Sequence, residues 1–130
     1  MTMNQQQLCP CGSNKIYEEC CSLIHQDYKK AESAEQLMCA RYAAFVVHDI
    51  DFIYNTFDPS TRRFQNKKDI ESWARESKWM QLEVIKATTN TVDFKAHYLD
   101  SNMNVQIHHE KSNFKQVQNV WFYVDGKILS

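Results

Sequence analysis

Only two glycines and two prolines are spread over 130 residues, which excludes collagen-like, linker-dominated and low-complexity chains. No apolar run approaches the roughly 18 residues that a membrane-crossing helix needs, so no membrane span is expected. An excess of one charge is missing too. Fifteen Lys and Arg face sixteen Asp and Glu, a formal net charge of −1. That balance gives no electrostatic reason to seek nucleic acid or anionic lipid. The opening Met1 to Gln7 lacks the charged start and apolar core of a secretory leader, so a cytoplasmic location is expected. What is present is 43% hydrophobic residues, enough for one core and a small appendage.

Cysteine is distributed unevenly. Four of the five cysteines, Cys9, Cys11, Cys20 and Cys21, fall within residues 9–21. Two short corners of chain carrying four thiolates can surround one tetrahedral metal ion. Gly12 and Asn14 tolerate positive φ and Pro10 fixes one φ, which suits a tight reversal between the pairs. Disulfides are uncommon in a reducing compartment, and the segment has too few apolar neighbours to bury inert thiols. One zinc ion is therefore expected on Cys9, Cys11, Cys20 and Cys21, with iron in the same cage as the alternative. A segment this small needs the metal to fold; structural zinc supplies on the order of 10–16 kcal/mol. All four positions are sulfur, so no place is left for a catalytic water. Cys39 lies in an apolar helical stretch and reads as a small core residue.

The cysteine pattern, with Pro10, Gly12, Ser13 and Tyr17, resembles the SEC-C motif, named after the C-terminal tail of the SecA translocase motor. The resemblance covers residues 9–21, departs at Asn14 where glycine is usual, and makes the same four cysteines the ligands. It implies a protein partner for the knuckle: a SecB-like chaperone or a translocation- or ribosome-associated protein. Glu18 and Glu19 beside Lys15 weaken the case for the same acidic partner. A single basic residue in the motif argues against nucleic acid.

Beyond the knuckle, Asp27 to His48 reads as helix, with Leu37, Met38, Arg41, Tyr42, Phe45 and Val46 at three- and four-residue steps. The capping-box spacing of Ser33 with Gln36 marks a helix start inside that stretch. A short helix is expected over 51–57, stopped by Asp58-Pro59, and a third capped by Asn66 with Ile70, Trp73 and Ala74 on one face. After Lys78 the period drops to two. Five strands are expected: one opening at Leu82, then 92–98, 105–109, 114–118 and 120–124, the last closed by Asp125-Gly126. Helices followed by a meander mean α+β: three helices packed on a curved antiparallel sheet. The expected organisation is a disordered tail at 1–8, the knuckle at 9–26 and the α+β domain at 27–130.

A second resemblance covers most of the chain. Arg41-Tyr42-Ala43-Ala44-Phe45, Thr56-Phe57-Asp58-Pro59, Trp79-Met80-Gln81-Leu82, His109 to Phe114 and Trp121 to Gly126 follow in an order similar to that of the YchJ-type family. That resemblance implies a nuclear transport factor 2-like cone, and often a second SEC-C motif beyond the last strand. Asp58 stands where histidine is usual.

A cone encloses a pocket, and its polar lining decides what it can do. Arg41 lies in the apolar stripe of its helix and needs a partner, with Asp93 and Glu110 as candidates. His109 shares strand parity with Val105 and Ile107, which points it to the core; Tyr42, Ser112 and Tyr123 complete the candidate pocket. His97 and His108 are expected to be solvated. Adjacent His109 and Glu110 face opposite ways and cannot share one pocket without a bulge. No residue is assigned as catalytic. The favoured reading is a non-enzymatic adaptor whose cone binds a ligand or a second copy. The alternatives are an enzyme acting on a small acidic molecule in the cone, with His109 or Glu110 as base and Arg41 as anchor, and a knuckle that merely staples the first helix.

Overall fold

Residues 7–129 are described in the structure, a computed structural model, and they begin inside the cysteine knuckle. Leu8 bridges Ile16, and the Tyr17 N–H donates to the Gln7 carbonyl at 2.8 Å. Of the tail expected over 1–8, residues 1–6 lie outside the described residues, whereas 7 and 8 belong to the knuckle fold. Gly12 (φ +88°) and Asn14 (φ +67°) occupy the left-handed region, as the reversal requires.

Helix α1 (Cys21–Gln26) starts at Cys21 with Cys20 as its N-cap, so the last two cysteines of the cluster sit at its head. The expected helix from Asp27 to His48 is broken. Tyr28–Lys30 forms a 3-10 turn, and α2 (Ala34–Val47) starts afresh where Ser33 Oγ accepts from Gln36 N at 3.0 Å. It ends at His48 in a left-handed conformation (φ 63°). Helix α3 (Ile50–Asn55) is capped by Asp49, whose side chain accepts from Phe52 N. Pro59 does not merely stop it. Proline is favoured at the first helical position, and it opens the one-turn α4 (Pro59–Arg62) with Asp58 as cap. Asn66 caps α5 (Lys67–Glu76), accepting from Lys68 N and Asp69 N.

The sheet has four strands rather than five: β1 (Lys78–Ala87), β2 (Thr91–Leu99), β3 (Val105–Val117) and β4 (Val120–Ile128), antiparallel in that order. Glu110 to Asn113 pair without a break with Phe94 to Thr91 of β2, overriding the turn preference of Ser112 and Asn113, so the two expected strands there merge into one of 13 residues. Gln118 and Asn119, both at positive φ, make the two-residue hairpin that follows. Helix α2 packs across β1, β2 and β4. The fully buried Leu37, Ile53 and Val92 mark the core; each such side chain contributes about 1.5–3 kcal/mol. Phe57 bridges Tyr123 in parallel. Tyr123 N donates to Thr56 O and Asp58 N to Tyr123 O, both at 2.8 Å, pinning the α3–α4 corner to β4. No helix of the described residues is long and apolar enough to cross a membrane.

Candidate functional site

Two sites emerge: a cluster of sulfurs on the knuckle and a cavity inside the cone. In the first, the Sγ atoms of Cys9, Cys11, Cys20 and Cys21 all lie within 4.8 Å of one another, and no cysteine is in a disulfide. Cys11 and Cys20 are 3.6 Å apart at sulfur, Cys20 and Cys21 4.0 Å. Zn–S bonds of about 2.3 Å in a tetrahedron put sulfurs about 3.8 Å apart, so the spacing fits one ion. Cys11 is driven far toward thiolate by donation from Cys21, Cys39 and Cys9, whereas Cys21 is pushed up by Cys11, Cys9 and burial. Four sulfurs this close cannot all ionise without a cation among them. Ser13 Oγ lies 3.1 Å from Cys20 Sγ, where a hydroxyl supports a thiolate ligand. The donor set can hold a metal ion and leaves no open position.

The knuckle is tied to the cone by a residue that sequence reasoning missed. His25 Nε2 lies 2.8 Å from the Ala40 carbonyl, which can only accept, so Nε2 carries the proton. Its Nδ1 then accepts from the Tyr17 hydroxyl at 2.6 Å. Burial pulls the ring below its ordinary range, keeping it neutral in this role. Nothing in the local sequence announces it. Cys39, expected in the core, is half-buried beside the sulfurs; contact with Cys11 and burial push its thiol up.

The cone cavity measures about 470 Å³. Of the candidate pocket residues, Arg41, Tyr42, Glu110, Ser112 and Tyr123 line it. Asp93 and His109 do not. They pair with each other, Nε2 to Oδ1 at 2.7 Å, on the opposite face of the sheet. The inward parity of β3 is that of Glu110, Ser112 and Phe114, all buried, while Val105 and Ile107 are 66% and 54% exposed. Counting faces from those two apolar residues therefore selects the wrong histidine. His108, expected in solvent, is the one that lines the cavity, and His97 instead lies 3.3 Å from Glu83.

Glu110 is the hub of the cavity floor. Its Oε1 lies 2.7 Å from His108 Nε2, and its Oε2 accepts from Ser112 Oγ at 2.6 Å and Tyr123 Oη at 2.5 Å. Burial pushes its carboxyl up, but the hydrogen bonds from His108, Ser112 and Tyr123 outweigh it, and the net shift is downward. Gly126, taken from sequence as a closing turn, lies within β4 opposite Ser112. A Cβ there would sit 1.9 Å from Glu110 Oε2, so the carboxylate occupies the space glycine leaves. A glycine inside a strand is the signal that could have revealed it.

Arg41 is 7% exposed and meets neither expected carboxylate. Its Nη1 donates to Ile53 O at 2.8 Å and Thr56 Oγ1 at 2.6 Å, and its guanidinium carbon lies 4.5 Å from the Phe57 ring centre and 4.3 Å from that of Tyr123. Burial lowers it to about 10 against the opposing pull of Tyr123 and Glu110, so it remains charged at neutral pH.

Comparison with known proteins matches residues 33–126 to the family described as YchJ, middle NTF2-like (nuclear transport factor 2-like) domain, and residues 7–23 to the SEC-C motif. A UPF0225 protein of Geobacter sulfurreducens is 34% identical over 126 residues, covering 92% of this chain and 78% of its own length. One from Vibrio cholerae is 38% identical, with 92% and 82% covered. A SEC-C motif containing protein from Rhodopseudomonas palustris, solved in solution, superposes with a TM-score of 0.85 at 32% identity, covering 94% of this chain and 98% of that one. A second, from Psychrobacter arcticus, gives 0.77 at 27%, with 97% and 85% covered.

Proposed function

The chain belongs to the YchJ family, with a SEC-C motif ahead of its NTF2-like domain, and on that premise we propose that it is a zinc-binding, non-enzymatic adaptor whose knuckle docks another protein. The observation that carries this reading is a sulfur cage with every position filled by the chain itself. Zinc suits four soft thiolates in a closed tetrahedron. A saturated ion does no hydrolytic chemistry; it holds a surface in shape. That surface presents Leu23, 43% exposed, on a groove against α2, and the knuckle also exposes Leu8 (61%). Lys15, Lys29 and Lys30 and the carboxylates of Glu19, Glu32 and Glu35 share the groove, so it suits a protein segment of mixed charge with an apolar anchor. A SecB-like chaperone or a translocation- or ribosome-associated protein in the cytoplasm is the partner class that the motif supports.

The test uses the full chain. Elemental analysis of reduced protein should find one zinc, and a Cys20→Ser, Cys21→Ser variant should find none. Purified SecB in calorimetry, and capture from extract, should each be compared between the wild type, the chelator-stripped protein and Leu23→Asp. Capture of one partner lost in Leu23→Asp, with zinc retained, supports docking through this face. Equal capture by all three forms overturns it.

A second reading, the knuckle as a staple, is favoured by the Tyr17–His25–Ala40 chain and by the half-buried Ile16 and Tyr17. It predicts that zinc removal lowers the melting temperature of the cone while no partner is captured.

A further inference from the structure

The cone cavity holds a cation with donors to spare. Arg41 Nη1 is committed to Ile53 O and Thr56 Oγ1, and no carboxylate of the described residues lies within 4.0 Å of the guanidinium. Nε and Nη2 carry no hydrogen bond among the described residues. Among the described residues only Trp121 Nε1, which does not line this cavity, is a fully buried side-chain polar atom without a partner. Arg41 Nε and Nη2 are thus not sealed by protein, and the Arg41 side chain lines the cavity. Nε and Nη2 together form the side-on edge of a guanidinium, the edge that takes a carboxylate through two parallel hydrogen bonds. The Phe57 and Tyr123 rings hold the guanidinium plane in place, so this edge is already oriented.

The rest of the lining says what the remainder of a ligand is made of. Phe45, Trp73, Trp79 and Phe94 supply aromatic wall, and Met38 and Ile70 add aliphatic surface. At about 470 Å³ the cavity is near the small end of the roughly 300–1,000 Å³ typical of small-molecule sites, which suits a compact body. Glu110 does not compete as a site for a cation. Three donors already occupy its oxygens, and Asp69 and Asp125, which also line the cavity, are solvent-exposed, where screening blunts their charge.

We infer that the cone cavity binds a small apolar monocarboxylate, its carboxylate on the Nε–Nη2 edge of Arg41 and its hydrocarbon body against Phe45, Trp73 and Phe94. A buried charge without a contacting counter-ion is costly. Glu110 pulls on Arg41 only from a distance, and such a ligand supplies the direct ion pair that the described residues do not. The inference is independent of what the knuckle does.

The experiment titrates the full, metal-loaded protein with phenylacetate and indole-3-acetate, and with the neutral phenylacetamide and indole-3-acetamide. Calorimetry gives affinity, and proton–nitrogen correlation spectra follow the Arg41 Nε–H and Trp73 indole signals. An acid should move both signals saturably, with its amide bound at least about tenfold more weakly. Arg41→Lys keeps a charge but loses the two-pronged edge, and should weaken the acid by about tenfold or more. Should that variant fail to fold, the acid–amide comparison on the native protein decides alone. No saturable shift of Arg41 Nε–H with either acid at about 10 mM, or an amide bound within about twofold of its acid, overturns the inference.

Discussion

Replacing Gly126 with alanine probes the cavity floor directly. The added methyl would lie 1.9 Å from Glu110 Oε2, 2.4 Å from Cδ and 2.8 Å from Cγ, where non-bonded atoms rest at about 3.5–4.0 Å. The carboxylate must retreat by about 1.5 Å, which takes Oε2 beyond reach of Ser112 Oγ and Tyr123 Oη, now 2.6 and 2.5 Å away. Hydrogen bonds to a charged group contribute about 1.5–3 kcal/mol each, and alanine recovers about 0.5–1 kcal/mol over glycine in a strand. With partial relaxation the net cost is about 2–4 kcal/mol, a fall in melting temperature of about 8–15 °C for a chain of this size. The cost belongs to the pair. In a Glu110→Ala background the same substitution meets no carboxylate and should be neutral or slightly stabilising, a coupling that a double-mutant cycle on thermal unfolding reads out. Additive effects, or an unchanged melting temperature in the single variant, would refute the reasoning.

Because Glu110 is held below the usual carboxylate range, its contribution to stability is complete above its unfolded pKa and disappears as pH falls through the folded one. Glu110→Gln should therefore be destabilised at neutral pH by about 1–3 kcal/mol, with the gap to the wild type closing in acid below about pH 4, as melting temperatures across pH will show. His25→Ala strips partners from the Ala40 carbonyl and the Tyr17 hydroxyl; it should keep full metal content, cost about 1–3 kcal/mol, and raise hydrogen exchange across the knuckle. His109→Ala removes a half-exposed pair with Asp93 on the outer face and should cost no more than about 1 kcal/mol by denaturant titration, without moving the cavity signals.

Some of this was legible because the signal is local. Cysteine spacing, left-handed tolerance at Gly12 and Asn14, and the caps at Ser33 and Asn66 depend on neighbours within a few residues, and the structure forms the turn and both caps. The alternation of Val92, Phe94 and Ala96 likewise marks the buried face of β2. β3 defeated the same logic because its outer face is apolar at Val105 and Ile107 while its inner face carries Glu110 and Ser112. Polarity there is inverted: hydrogen bonding, not hydrophobicity, settles what is inside. The partners of Arg41 were equally hidden, since two π faces, a carbonyl and a hydroxyl replace the carboxylate that burial of a cation suggests. Such partners come from residues distant in sequence and leave no periodic trace.

Helix α2 is a party wall. Cys39 and the Ala40 carbonyl look toward the sulfur cluster and His25, while Met38, Arg41 and Tyr42, immediate neighbours along the chain, look into the cone. One turn of backbone thus separates the two chambers, and a tug on either side is delivered to masonry that both share.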